Sequence, residues 1–153
     1  MKSMAELIHA HPFLAGLPEP YIATVAGCAR NVVFEAGSYI IREGHSATEF
    51  HLLRDGHVAL ELYSPRGGSK VLQTLGPGDI LGASWLVPPY RWTSDGRALD
   101  RVHAFAFDAV CLRGKCEADP AMGYALMQRF LPVLMQRMSA ARLQAMDMFG
   151  AQA

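Results

Sequence analysis

The chain has 153 residues, 51% of them hydrophobic, which suits one domain around a single core and argues against a second. Fourteen lysines and arginines balance fourteen aspartates and glutamates, so no overall field draws the chain onto nucleic acid or an anionic membrane. Cys28, Cys111 and Cys116 lack CxxC pairing, which speaks against a disulfide framework or a structural zinc site and for reduced thiols in a cytoplasm.

The first stretch, MKSMAELIHAHPFLAGL, is broken by His9, His11 and Pro12, and nowhere do about 18 apolar residues run uninterrupted. Neither a signal peptide nor a membrane span is expected. Ser3 followed by Glu6 forms a capping-box pattern, and Tyr21, Ile22, Val25 and Cys28 fall near helical spacing, so residues 1–30 are read as N-terminal helices.

From 31 to 107 the pattern changes to short β-prone runs: NVVF, SYII, EFHLL, HVALELY, KVLQTL, RAL and VHAFAF. Glycine-bearing turns separate them, and many short strands at regular spacing predict a sandwich or barrel. Asp55-Gly56 is the strongest local hairpin signal; a two-residue turn there pairs His57 with Arg54 and His51 with Leu60, placing the two histidines on opposite faces. No tight His-x-His pair is present, so no metal site is expected. No Ser/His/Asp or Cys/His arrangement stands out either, and the chain is read as non-catalytic.

Trp85, Tyr90 and Trp92 cluster around Pro88, Pro89 and Arg91. Local core packing is the leading account; an aromatic lid and a partner surface are the others.

Residues 108–150 return to helix, with Asp119 as N-cap and Pro120 in the first turn. Met127, Leu131, Leu134, Met138, Ala141, Ala145 and Met148 recur at spacings of four and three, an apolar heptad seam. The seam must be covered, either by the β-rich part of the same chain or by its copy in a homodimer. Pro132 inside this helix predicts a kink or break.

GSYIIREGHSATEFHLLRDGHVALEL, then KVLQTLGPGDILG, then a helix with a heptad seam resembles the cyclic-nucleotide-binding domain of catabolite-activator-type (Crp/Fnr) bacterial regulators. The resemblance covers about residues 10–148 and rests on Gly37, Gly44, Gly56, Gly78-Asp79 and Gly82 at tight turns. It implies a mainly β fold with flanking helices (α+β): one domain over 1–153, a double-stranded β-helix jelly roll at 31–107, and a long C-terminal helix.

It also implies a pocket in which backbone N–H groups of Leu81, Gly82, Ala83, Ser84 and Trp85 cradle a phosphate, walled by Ile41, Leu60, Leu72 and Leu75. Binders of this family usually carry a glutamate after the glycine for the ribose hydroxyl and an arginine about ten residues later for the phosphate. Here those positions hold Ala83 and Thr93, the latter followed by Ser94. Each lost charge-assisted bond is worth about 1.5–3 kcal/mol, so affinity for a cyclic nucleotide drops by roughly two to four orders of magnitude unless displaced arginines compensate. Arg91 and Arg97 are the candidates; Arg137, Ser139 and Arg142 on the last helix either close the pocket or form a solvated helix face, the latter being the leading account.

The resemblance therefore points to a stand-alone sensory module that takes a cyclic nucleotide or a related small anion and dimerises through its last helix. The alternative is a ligand-free interaction or scaffold domain with a protein partner. Relatives place a helix-turn-helix after the long helix, whereas this sequence stops at Ala153 without a basic recognition helix, so direct DNA binding is not expected.

Overall fold

A computed structural model describes residues 1–150, with side chains through Asp147. The side chain of Met148 in the seam and residues 151–153 of the expected domain lie outside this description. The chain starts with α1 (Met4–His9), a single 3-10 turn (Pro12–Leu14) and α2 (Glu19–Ala26). Ser3 caps α1 as expected, its hydroxyl accepting from the Glu6 N–H at 3.2 Å.

The β-rich segment forms β1 (Ala29–Phe34), β2 (Tyr39–Ile41), β3 (Glu49–Asp55), β4 (Val58–Ser64), β5 (Gly68–Leu75), β6 (Ile80–Leu81), β7 (Asp95–Ala98) and β8 (Val102–Asp108). They lie in two antiparallel sheets, ordered β1-β8-β3-β6 and β2-β7-β4-β5. This is the expected jelly roll with flanking helices. The two-residue β6 is the strand that its sequence does not announce.

The expected Asp55-Gly56 hairpin is not formed. β3 pairs with β8 and β6 while β4 pairs with β5 and β7, so the turn carries the chain from one sheet to the other. His51 accordingly faces Ala106 and Leu81 across the ladder, not Leu60. Asp-Gly supplies the positive φ of a reversal (Gly56, +87°) but does not choose the strand's partner. Here β3 and β4 each carry several consecutive buried residues, and each belongs inside its own sheet.

An aromatic stack joins the β1-β8-β3-β6 sheet to the 3-10 turn Ser84–Leu86 and the long C-terminal helix. Phe50 of β3 packs face to face with Trp85 (4.6 Å between centroids) and Phe107 (4.7 Å), with Phe130 edge-on at 5.2 Å. Phe130 belongs to α4 (Pro120–Gly150), which follows α3 (Ala109–Ala118), and so the stack fixes the long helix against the roll. Asp108 and Asp119 cap these helices, accepting from the N–H groups of Cys111 (2.9 Å) and Met122 (3.2 Å).

The structure bears on three expectations about the C-terminal half. α4 runs through Pro132 without a break, because buried Phe130 and part-buried Val133 hold the helix on either side of the missing N–H. The seam is not buried against its own chain: Met127, Leu131, Leu134 and Met138 are 37–51% exposed, and Ala141 and Ala145 are exposed too. The stripe that faces the roll is instead Met122, Leu126, Phe130 and Val133. Third, Cys28 and Cys111 are joined as a disulfide with Cα atoms 6.1 Å apart, correcting the reduced-thiol expectation; Cys116 is free. A sequence separation of 83 hides the pair from any reading of local spacing, but the Asp108 N–H bonds the Cys28 carbonyl at 2.9 Å and brings the ends of β1 and β8 together.

Candidate functional site

Gly82 ends β6 in the left-handed region (φ +93°), turning the chain out of the sheet and into the 3-10 turn Ser84–Leu86. Thr93 and Ser94 lead into β7 on the facing side. These two segments enclose a cavity of about 100 Å³, lined by Gly82, Ala83, Ser84, Trp92, Thr93 and Ser94. Ile41 and Leu60 form its floor, and Leu134 and Arg137 of α4 close it. Among the described residues, the N–H groups of Ala83, Ser84 and Trp85 and the hydroxyls of Ser84, Thr93 and Ser94 meet no protein hydrogen-bond partner.

Most of the residues expected at the site are therefore brought together, and several are not. Leu81 is fully buried in the β3–β6 ladder and Trp85 in the aromatic stack, so neither side chain lines the cavity. Leu75 lines a neighbouring cleft of about 360 Å³, together with Asp79, Ile80 and Arg137. Leu72 packs on the core, and its carbonyl accepts from Gln144 of α4 at 3.0 Å.

Both displaced arginines are engaged elsewhere. Arg91 donates to the Gly44 carbonyl at 2.8 Å on the protein's exterior. Arg97 donates its Nε–H to Glu61 at 2.6 Å, neutralising a carboxylate whose side chain is 6% exposed. That pairing is a cross-strand requirement of β4 and β7, since a buried unpaired carboxylate is costly.

Arg137 is the cation at the cavity, which favours the pocket-closing alternative over the solvated helix face. It donates to the Ile80 carbonyl through Nη2, while its buried Nε meets no partner. Burial lowers its pKa to about 10, partly opposed by the Asp79 carboxylate, and it stays charged at neutral pH. The signal was in the sequence: Arg137 continues the Met122–Leu126–Phe130–Val133 stripe at helical spacing, one face round from the seam.

The aromatic cluster resolves mainly as packing. Trp85 is core; Trp92 is buried between this cavity and a second, of about 160 Å³, that reaches His51; Tyr90 carries the Arg113 guanidinium 4.1 Å above its ring. His51 is buried with Nδ1 unpartnered, and desolvation lowers its pKa to about 4. His57 bonds the exposed Asp100 carboxylate at 2.8 Å and holds that group below its ordinary pKa. Among the described residues, no three His, Cys, Asp or Glu side chains are grouped to hold a metal ion, and no helix is long and apolar enough to cross a membrane.

The sequence profile described as "Cyclic nucleotide-binding domain" matches residues 31–119, more than half the chain. The chain belongs to the cyclic nucleotide-binding domain family. A solved structure from Geobacter metallireducens GS-15, described as a candidate cyclic nucleotide-binding protein, is 30% identical, with a TM-score of 0.79 over 90% of this chain and 99% of that one. The N-terminal domain of a transcriptional regulator from Streptomyces coelicolor A3(2) is 24% identical, with a TM-score of 0.68 over 88% and 94% of the two chains. Thermus thermophilus Catabolite Activator Protein is 19% identical, with a TM-score of 0.69 over 91% of this chain and 63% of that one. The last two likenesses are of fold. No curated protein sequence matches the chain.

Proposed function

We propose that this cyclic nucleotide-binding domain is a non-catalytic regulatory module that takes a small anionic ligand of the cyclic-nucleotide type and signals through α4 as a homodimer. The observation that carries the reading is the double use of α4. Leu134 and Arg137 close the cavity at Gly82–Ser84 and Thr93–Ser94, while Met127, Leu131, Leu134 and Met138 present an apolar seam to solvent. A ligand that moves α4 thereby moves the dimer surface. The cavity's 100 Å³ is below the roughly 300–1,000 Å³ of ordinary ligand pockets, so binding a whole nucleotide requires residues 81–97 or α4 to shift. Such a shift follows only if the ligand prefers the opened state.

We place the module in a cytoplasm, where the Cys28–Cys111 disulfide stands against a reducing thiol pool. Alkylation and mass measurement of protein taken from its host reads that state.

The second reading, a ligand-free interaction domain with a protein partner, is favoured by Ala83 and Thr93 at positions where family binders carry charge. Isothermal titration with cyclic AMP, cyclic GMP and cyclic dinucleotides separates the two. Binding heat with any of them supports the regulatory module. Neither heat nor a melting shift with any removes the nucleotide version and leaves the interaction domain.

A further inference from the structure

We propose that Arg137 supplies the ligand-binding charge of this pocket, so that the cation that reads an oxyanion stands on the signalling helix instead of the β-roll loop. The inference rests on the regulatory reading above and specifies its ligand contact. It starts from a misfit: Arg137 is part-buried, its buried Nε–H meets no partner, and the bond to the Ile80 carbonyl uses only part of a five-donor group. A buried donor without an acceptor is costly, and an incoming oxyanion supplies one.

Position agrees with chemistry. The guanidinium lies between the 100 Å³ cavity and the 360 Å³ cleft, lining both. On the cavity side it is joined by the hydroxyls of Ser84, Thr93 and Ser94, neutral donors that orient an anion without supplying charge. Asp79 stands on the cleft side, but no carboxylate of the described residues comes within 4.0 Å of Arg137, so its charge is uncommitted. Of the cations nearest Thr93 in sequence, Arg97 is paired with Glu61, and Arg91 bonds the Gly44 carbonyl and does not line the cavity. An oxyanion with two non-bridging oxygens, as in a phosphodiester, matches the planar guanidinium fork. When the side chain leaves Ile80 to bind it, the contact between α4 and β6 is released, and ligand charge is converted into helix position.

Isothermal titration of wild type and Arg137→Gln with cyclic AMP, cyclic GMP and uncharged adenosine tests this. The expected result is that a cyclic nucleotide bound by wild type loses about ten- to a hundred-fold affinity in the variant, while adenosine binding is unchanged. Equal cyclic-nucleotide affinity in both proteins overturns the role of Arg137 and leaves the regulatory reading standing. If wild type binds neither cyclic nucleotide, the nucleotide reading fails, and the assignment is judged by the Arg137 Nε–H resonance under titration with inorganic phosphate. A saturable shift sustains an oxyanion site; an unmoved resonance overturns it. Should Arg137→Gln fail to fold, Arg137→Lys takes its place: it keeps the charge but loses the fork, with about a tenfold loss expected and an unchanged affinity overturning the proposal.

Discussion

The six-membered ring of Trp92 lies so close to the backbone of Gly82 that a β-carbon on Gly82 would overlap it. Gly82 also holds a φ of +93°, a region that L side chains rarely adopt. Gly82→Ala is therefore expected to destabilise the fold by about 3 kcal/mol, strain and overlap together. Urea denaturation reads the cost, and a double-mutant cycle with Trp92→Ala apportions it. If Gly82→Ala costs as much without the indole as with it, the ring contact is not a cause.

Arg97 offers a second separation of structure from function. Its bond to Glu61 neutralises a carboxylate almost sealed from water, and its own side chain is about one-third exposed. Arg97→Ala is expected to cost roughly 2 kcal/mol, below the range for a fully buried pair because solvent reaches the arginine side. Ligand affinity is expected to be unchanged. Loss of affinity without loss of stability, in parallel denaturation and titration, would reinstate Arg97 as a ligand contact.

These two residues show where the sequence was readable. Turn glycines such as Gly82 carry their own instruction, because positive φ is a local demand, and the spacing of such turns made the jelly roll legible. Gly82, Ala83, Ser84, Thr93 and Ser94 could be placed together by family resemblance and are together. What was not legible depends on contacts distant in sequence. The sheet to which β4 belongs, the Cys28–Cys111 pair and the Arg97–Glu61 pair are each settled by elements far along the chain. Arg137 was ranked below the solvated-face account for another reason. The heptad seam drew attention to one face of α4, although a second stripe at helical spacing faces the roll and ends in that arginine.

Acid should destabilise the protein through His51. Above pH 6.5 the imidazole is neutral in folded and unfolded chains alike and adds no pH dependence. Between 6.5 and about 4 the unfolded chain binds a proton that buried His51 refuses, so stability falls as pH falls; below about 4 both states bind it and the slope ends. The difference corresponds to about 3 kcal/mol across that window. His11 adds in the same direction: its Nδ1 accepts from the Phe13 N–H while Nε2 meets the Leu53 carbonyl, and burial lowers its pKa. Denaturation midpoints from pH 7.5 to 4 should fall less steeply for His51→Leu than for wild type. Parallel curves would mean that His51 is not the acid-sensitive group.

The exposed seam predicts the oligomeric state. Leu131 and Met138 are each 51% exposed on one face of α4, with small Ala141 beyond them to allow close approach of a second helix. Exposed apolar positions at heptad spacing over four turns are better explained by a covering copy than by solvent. Sedimentation at micromolar concentration should find wild type dimeric and Leu131→Asp plus Met138→Asp monomeric, with the melting transition of the β-roll retained. Leu134 is left intact in this test because it also lines the cavity, and its substitution would disturb the site and the seam together. A wild-type monomer would leave the seam unpaired and remove the dimer as the means by which α4 is read. A dimer that survives both aspartates would place the interface elsewhere. If the seam is the interface, ligand bound at Arg137 and the partner helix at Leu131 and Met138 act on one rigid element, and the affinity of each should change with occupancy of the other by the same factor.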